Sequence, residues 1–125
     1  MAAWSERELD DVGAAEELQI SSRRRDGTLR PYVTIWVVRV ADDLYVRSAY
    51  GASNPWFVRA SASGTGRIKA GGVERDVEFV DAPDEAHSGV DAAYHAKYDR
   101  YGARIVNTVV GPNVVDTTIR LVPQG

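Results

Sequence analysis

The run at residues 30–40, Arg-Pro-Tyr-Val-Thr-Ile-Trp-Val-Val-Arg-Val, constrains this chain more than any other stretch. It is dense in β-branched and aromatic residues, which favours a pleated strand. Both sets of alternate positions are apolar: Val33, Ile35 and Val37 on one side, Tyr32, Trp36 and Val38 with Thr34 on the other. A strand with two apolar faces belongs in the middle of a sheet. Asp42-Asp43 supplies a tight turn, and residues 44–48 return as the second arm. Gly51-Ala52 then forms a short loop, and Asn54-Pro55 predicts a helix start. Asn54 would cap it, and Pro55 sits where its missing N–H costs nothing. A helix N-terminus suits a phosphate or carboxylate, and Arg30, Arg47 and Arg59 lie close in sequence. A plain core hairpin with solvated arginines would read the same way, so the rest of the chain must decide.

Upstream, Ser5 and Glu8 fit a capping box, which predicts a helix to about Ala15 anchored by Trp4, Leu9 and Val12. Residues 18–24 alternate as a half-buried strand, and Asp26-Gly27 marks a hairpin turn. The helix from Pro55 is expected to run to about Ser61. Residues 65–70 and 73–80 form a hairpin around Gly71-Gly72, with Arg67 and Lys69 on one face of the first arm. A helix is predicted over 85–101, a short one over 103–110, and a last strand over 114–122 after the Gly111-Pro112 turn. Tyr94, Tyr98 and Tyr101 recur at helical spacing with Val90, as a core or dimer-contact stripe.

Composition narrows the class. The 125 residues suit one domain, 1–125, and 44% hydrophobic with 26% charged residues is ordinary for a soluble protein. No apolar run reaches membrane-spanning length, and no basic-then-apolar leader precedes residue 20. With no cysteine, disulfides and thiol chemistry are excluded, and a reducing cytoplasm is the expected compartment. Residues 23–69 carry nine basic side chains against three acidic ones, a local +6 in a chain whose total is −3. Such a field suits a small anionic ligand better than nucleic acid, unless the opposite charges simply pair across the fold.

About six strands joined by tight turns imply antiparallel pairing. A small antiparallel sheet with one buried face tends to close into a barrel and so remove its edges; the alternative is an open sheet with helices on one side. The order of elements resembles the split β-barrel superfamily that binds FMN or the deazaflavin F420, which includes pyridoxamine-phosphate oxidases and deazaflavin-dependent nitroreductases. Within it the chain is similar to a bacterial family of uncharacterised domains. Segments such as Val33-Thr34-Ile35-Trp36, Leu44-Tyr45-Val46-Arg47-Ser48, the run from Gly66 through Gly72 and Ala93-Tyr94-His95-Ala96-Lys97-Tyr98 carry the likeness. It implies a mainly β, six-stranded antiparallel split barrel with inserted helices. Nitroreductase-like members place a threonine, a serine, a glycine-alanine loop and an asparagine- or histidine-proline pair before an aromatic. Thr34, Ser48, Gly51-Ala52, Asn54-Pro55 and Trp56 follow that order, with a shorter loop and no lysine in it. With Trp36 and the arginines of the basic segment added to the residues that carry this resemblance, Thr34, Trp36, Arg47, Ser48, Asn54, Trp56, Arg59 and Arg67 are the candidate cofactor-binding residues.

Other chemistry finds little support. Gly64-Thr65-Gly66 lacks a third glycine and follows a helix, so it is no dinucleotide fingerprint. His87 and His95 have no partners at metal-ligand spacing and read as surface residues. No catalytic acid, base or metal ligand is named. The expected function is a flavin- or deazaflavin-dependent oxidoreductase acting on a small molecule; the alternative is a non-catalytic module that binds a cofactor or small anion. A single-strand nucleic-acid binder is disfavoured by the acidic total and the scattered tryptophans. The many large aromatics for a small barrel, with the resemblance, predict a homodimer that shares the cofactor cleft.

Overall fold

The computed structural model describes residues 3–124. Helix α1 (Glu6–Ala14) opens with the predicted capping box: the Glu8 N–H donates to Ser5 Oγ at 3.1 Å, and the Ser5 N–H donates to Glu8 Oε1 at 2.9 Å. The strands are β1 (Leu18–Ser22), β2 (Val33–Ile35), β3 (Val38–Val40), β4 (Asp43–Arg47), β5 (Thr65–Ala70), β6 (Val73–Asp81) and β7 (Thr118–Pro123). Helix α2 (Pro55–Ser63) follows β4, while α3 (His87–Tyr98) and the short α4 (Ala103–Val106) lie between β6 and β7. Every pairing is antiparallel, in one sheet of order β2-β1-β5-β6-β7-β4-β3.

That order corrects the expectation drawn from residues 30–40. The run is not a central strand. It is cut in two, which makes seven strands in place of six, and its halves form the opposite edges of the sheet. Val33 and Thr34 are exposed, as edge positions are. Ile35 and Val38 are three residues apart, so their Cα atoms are at most about 11 Å from each other. A seven-stranded sheet whose two ends lie that close must curl round on itself. β2 and β3 do not pair with each other, so the curl stops short of a closed ladder. The fold is a split β-barrel, and residues 36–37 cross its seam.

The break has a physical cause in α3. Val37 belongs to neither strand and is fully buried, so its peptide groups need partners. Its N–H donates to the Tyr98 hydroxyl at 3.2 Å, and its carbonyl accepts from Lys97 Nζ at 2.7 Å. The Tyr98 hydroxyl also lies 2.8 Å from the Glu16 carbonyl, to which it donates. Side chains from one helix thus replace the ladder at the one point where the strand leaves it.

β4 shows how the two cores are separated. Leu44 and Val46 point into the barrel, with Trp4, Leu18, Ile20, Val37, Ile68, Val77 and Leu121. Tyr45 points outward to a second cluster, under Val90, Tyr94 and Tyr98 of α3 and Val106 and Val109 beyond it. Tyr94 and Tyr98 are 0% exposed within this single chain, so two of the three stripe tyrosines are core and not dimer contacts. Trp4 closes the barrel, its indole N–H donating to the Leu121 carbonyl at 3.0 Å.

Several boundaries differ from the sequence reading, among them the ends of β1 at Ser22 and of α4 at Val106. The β3–β4 turn is centred on Ala41-Asp42, with Ala41 at φ 53°, and not on Asp42-Asp43. Helix α2 continues to Ser63 because Gly64 adopts the left-handed conformation that ends it. The last strand starts only at Thr118; Pro112–Thr117 forms 3-10 turns in place of its first half.

Candidate functional site

The barrel seam opens into a cleft of about 340 Å³. One wall is β2 with Thr34, one is the loop after β4 with Ala49 and Tyr50, and Asn54 and Trp56 come from the start of α2. Ile105, Thr108 and Val109 cover it from the segment following α3, and Glu17 stands at its rim. Trp36, placed here by the seam crossing, stacks flat on Tyr98 with ring centroids 4.0 Å apart and planes within 5°. Tyr101 continues the stack at 5.6 Å. The result is a rigid aromatic wall, since α3 holds Tyr98 and Tyr98 holds the seam.

Four of the five large apolar side chains left exposed among the described residues gather at this mouth, Val33, Tyr50, Ile105 and, through Trp36, Tyr101, while Val58 lies at a second opening. Tyr50 is 80% exposed and has φ 67°, a conformation that bulky residues avoid. An aromatic ring held out in solvent on strained backbone is a feature packing alone does not explain.

The expected site residues divide. Thr34, Trp36, Asn54 and Trp56 meet at the cleft. Asn54 stands at the N-cap of α2 but does not cap it with its side chain; its amide Nδ2 donates weakly to the Ala49 carbonyl at 3.4 Å. Ser48 is fully buried behind the loop, its hydroxyl donating to the Gly51 carbonyl at 2.7 Å. Arg47 reaches the cleft floor, but its guanidinium is engaged internally. Nε donates to Thr118 Oγ1 at 2.8 Å, and Nη1 donates to Asp91 and to the Val109 carbonyl at 2.8 Å. Nη2 faces His87 Nδ1 at 3.4 Å. That contact also revises the reading of His87, which is half-buried, whereas His95 is exposed and pairs with Asp99 at 2.7 Å. Arg67 lies outside the cleft and binds Asp76 at 2.8 Å and Glu74 at 3.2 Å. The hydrogen bond from Arg67 is the main reason the Asp76 carboxyl sits below its usual range, against an opposing push from burial.

Arg59 lines a second opening of about 630 Å³, formed with Arg23, Arg24, Arg25 and Arg30. The basic segment is therefore partly neutralised across the fold, as at Arg39 with Glu6 and Asp10, and partly collected in this opening.

Tyr50, Glu17, Ile105 and Thr108 were missed by sequence reasoning. Tyr50 carried a signal, as an aromatic beside the loop glycine. The others come from distant segments, and nothing local marks them. Neither histidine lines the seam cleft, and among the described residues no group of acids and histidines is placed to hold a metal. No helix among them is long and apolar enough to cross a membrane.

Residues 8–121 match the family described as an uncharacterised protein conserved in bacteria, DUF2255. The chain belongs to that family. No curated protein matches it. Several solved structures share the fold of this family member. A candidate pyridoxamine 5'-phosphate oxidase from Listeria innocua superposes with a TM-score of 0.65 at 13% identity, over 95% of this chain and 92% of that one. A FAD-binding protein from Mesorhizobium loti gives 0.55 at 16% identity, over 99% and 93%. An F420 reductase gives 0.56 at 13% identity, over 93% and 92%. Identities this low carry the fold alone, the split barrel.

Proposed function

We propose that this family member binds the ring of FMN or F420 in the seam cleft and acts as a flavin- or deazaflavin-dependent oxidoreductase on a small molecule. The observation that carries the reading is the aromatic wall of Trp36 on Tyr98 and Tyr101, facing a cleft that opens beside the N-terminus of α2. The cleft volume lies within the range of small-ligand sites, and its walls are mostly apolar with a few polar groups, as a planar ring requires. Trp36, Val33 and Ile105 would contact the ring. Thr34 and Asn54 would offer its polar edge hydrogen bonds, and the α2 terminus would favour its anionic end. When bound, the ring supplies hydride transfer; the chain orients it and keeps water out. That FAD- and F420-binding proteins share the barrel supports this reading.

The exposed Val33, Tyr50, Tyr101 and Ile105 would be covered by a second copy of the chain, giving a homodimer with the cleft at its interface. Sedimentation equilibrium giving a monomer mass at tens of micromolar would remove that part of the reading.

The second reading is a binding module without catalysis. It is favoured by one observation: among the described residues Glu17 is the one carboxylate that lines the cleft, it is exposed, and no histidine joins it. Titration with FMN and with F420, followed by quenching of cofactor fluorescence, tests both. Binding at micromolar concentration, weakened at least tenfold by Trp36→Ala, is the expected result. If neither cofactor binds, the oxidoreductase reading fails; if one binds but never turns over with any reductant, the module reading stands.

A further inference from the structure

Among the described residues, six of the eight arginines elsewhere in the fold, Arg7, Arg39, Arg47, Arg67, Arg75 and Arg100, each meet a carboxylate. The second opening follows that pattern only at Arg23, which meets Asp76. It is lined by Arg23, Arg24, Arg25 and Arg30 from the β1–β2 hairpin and by Arg59 from α2, with Ser63 and Thr65 between them and no acidic residue. Five guanidinium groups around one concavity repel each other, and an otherwise acidic chain has ample carboxylates to separate them.

The hairpin holds the charges in place. Asp26 accepts from the N–H and hydroxyl of Thr28, at 3.0 and 2.7 Å, so the carboxylate at its tip is turned onto the turn itself. Arg23 is anchored by Asp76 at 2.7 Å and the Gly27 carbonyl at 3.0 Å. Arg24 donates to the Leu29 carbonyl at 3.0 Å, which fixes its position without cancelling its charge. Among the described residues, Arg25, Arg30 and Arg59 have no side-chain hydrogen bond and no ion pair. Two arginines are thus pre-oriented and three carry open donor forks, the geometry that binds phosphate oxygens two at a time.

We infer that this cleft is a binding site for a compact polyphosphate, either free or as the diphosphate of a nucleotide. Its size of about 630 Å³ fits a small molecule. A net charge of −3 on the whole chain works against a long nucleic acid and leaves a compact anion unaffected. The site is separate from the seam cleft and shares no lining residue with it.

Calorimetric titration of the whole protein with sodium pyrophosphate, in low salt without magnesium, tests the inference. One site of micromolar affinity is expected, weakening steeply with added salt. The combined variant Arg25→Ala, Arg30→Ala, Arg59→Ala should lose at least thirtyfold while keeping its circular dichroism, because these side chains hold nothing in place. Arg7→Ala, on α1, should bind as the parent does, and flavin titration of the triple variant should be unchanged whether or not the seam cleft binds flavin. ADP binding tenfold tighter than pyrophosphate identifies a nucleotide, and equal binding identifies a free polyphosphate; both support the site. No heat at millimolar pyrophosphate, undiminished binding in the triple variant, or tighter binding of a single-stranded oligonucleotide overturns it.

Discussion

Replacing Arg47 by methionine keeps the length of the side chain and removes its charge and donors. The guanidinium is 0% exposed, so its loss is felt inside the protein. Asp91 loses its cation and keeps one weak bond, from the Gly111 N–H at 3.3 Å; the Val109 carbonyl loses a donor at 2.8 Å. Thr118 Oγ1 loses the Nε donor but still donates to the Val114 carbonyl at 2.7 Å. Breaking a buried ion pair from one side costs about 3–5 kcal/mol. Asp91 retains 33% exposure of its side chain and can recover some hydration, so the lower end, about 3 kcal/mol, is expected. Total stabilities of about 5–15 kcal/mol make that a large share. With a urea slope of about 2 kcal/mol/M, the denaturation midpoint should fall by about 1.5 M. Adding Asp91→Leu should restore part of the loss, since an apolar pair in place of a buried ion pair is often tolerated. The reasoning is refuted if Arg47→Met unfolds within about 0.3 M of the parent yet loses cofactor affinity. That outcome would make Arg47 a phosphate ligand, as its place in the sequence suggested.

Three further outcomes follow from the same geometry. Burial lowers the Lys97 ammonium to about 8 and raises the Tyr98 phenol to about 12. Unfolded lysine holds its proton to about 10.4 and unfolded tyrosine to about 10, so stability should rise from about pH 8 to 10 and fall above it. A urea midpoint that declines steadily from pH 8 contradicts this, and Lys97→Met should abolish the rise. Tyr98→Phe leaves the buried Val37 N–H without an acceptor, costing about 1–3 kcal/mol, and amide hydrogen exchange at Val37 should accelerate. In Gly66→Ala the new methyl would sit 2.0 Å from the Ser21 carbonyl oxygen and 2.7 Å from the Phe79 ring, so β1 and β5 must part. A loss of about 3 kcal/mol or more is expected in thermal unfolding, and an unchanged midpoint would show that the strands are looser than drawn.

What the sequence made legible was local. The Ser5–Glu8 box, the Pro55 helix start and the β5–β6 hairpin each depend on residues within a few positions, and each formed where expected. The break between β2 and β3 was invisible because its cause lies about sixty positions away, in Lys97 and Tyr98. Through Trp36 and Val37 the period-two pattern runs on undisturbed, so no reading of periodicity finds the seam. The internal partners of Arg47 were hidden for the same reason, since Asp91 and Val109 are as remote in sequence as they are close in space. Trp36, Thr34, Asn54 and Trp56 were found together because one chain segment carries them; Ile105 and Thr108 enter from another.

A barrel that stops short of closure keeps two free strand edges, and free edges invite other strands. Here each is only three residues long, β2 and β3 together with a kink between them. Three residues span about 10 Å and offer an incoming strand one or two hydrogen bonds, too few to nucleate pairing. The kink adds that the two edges cannot be extended in one direction, since residues 36–37 redirect the chain between them. Copies of this protein can therefore meet at the seam only through side chains. The opening stays available to a ligand and does not become the start of a continuous intermolecular sheet.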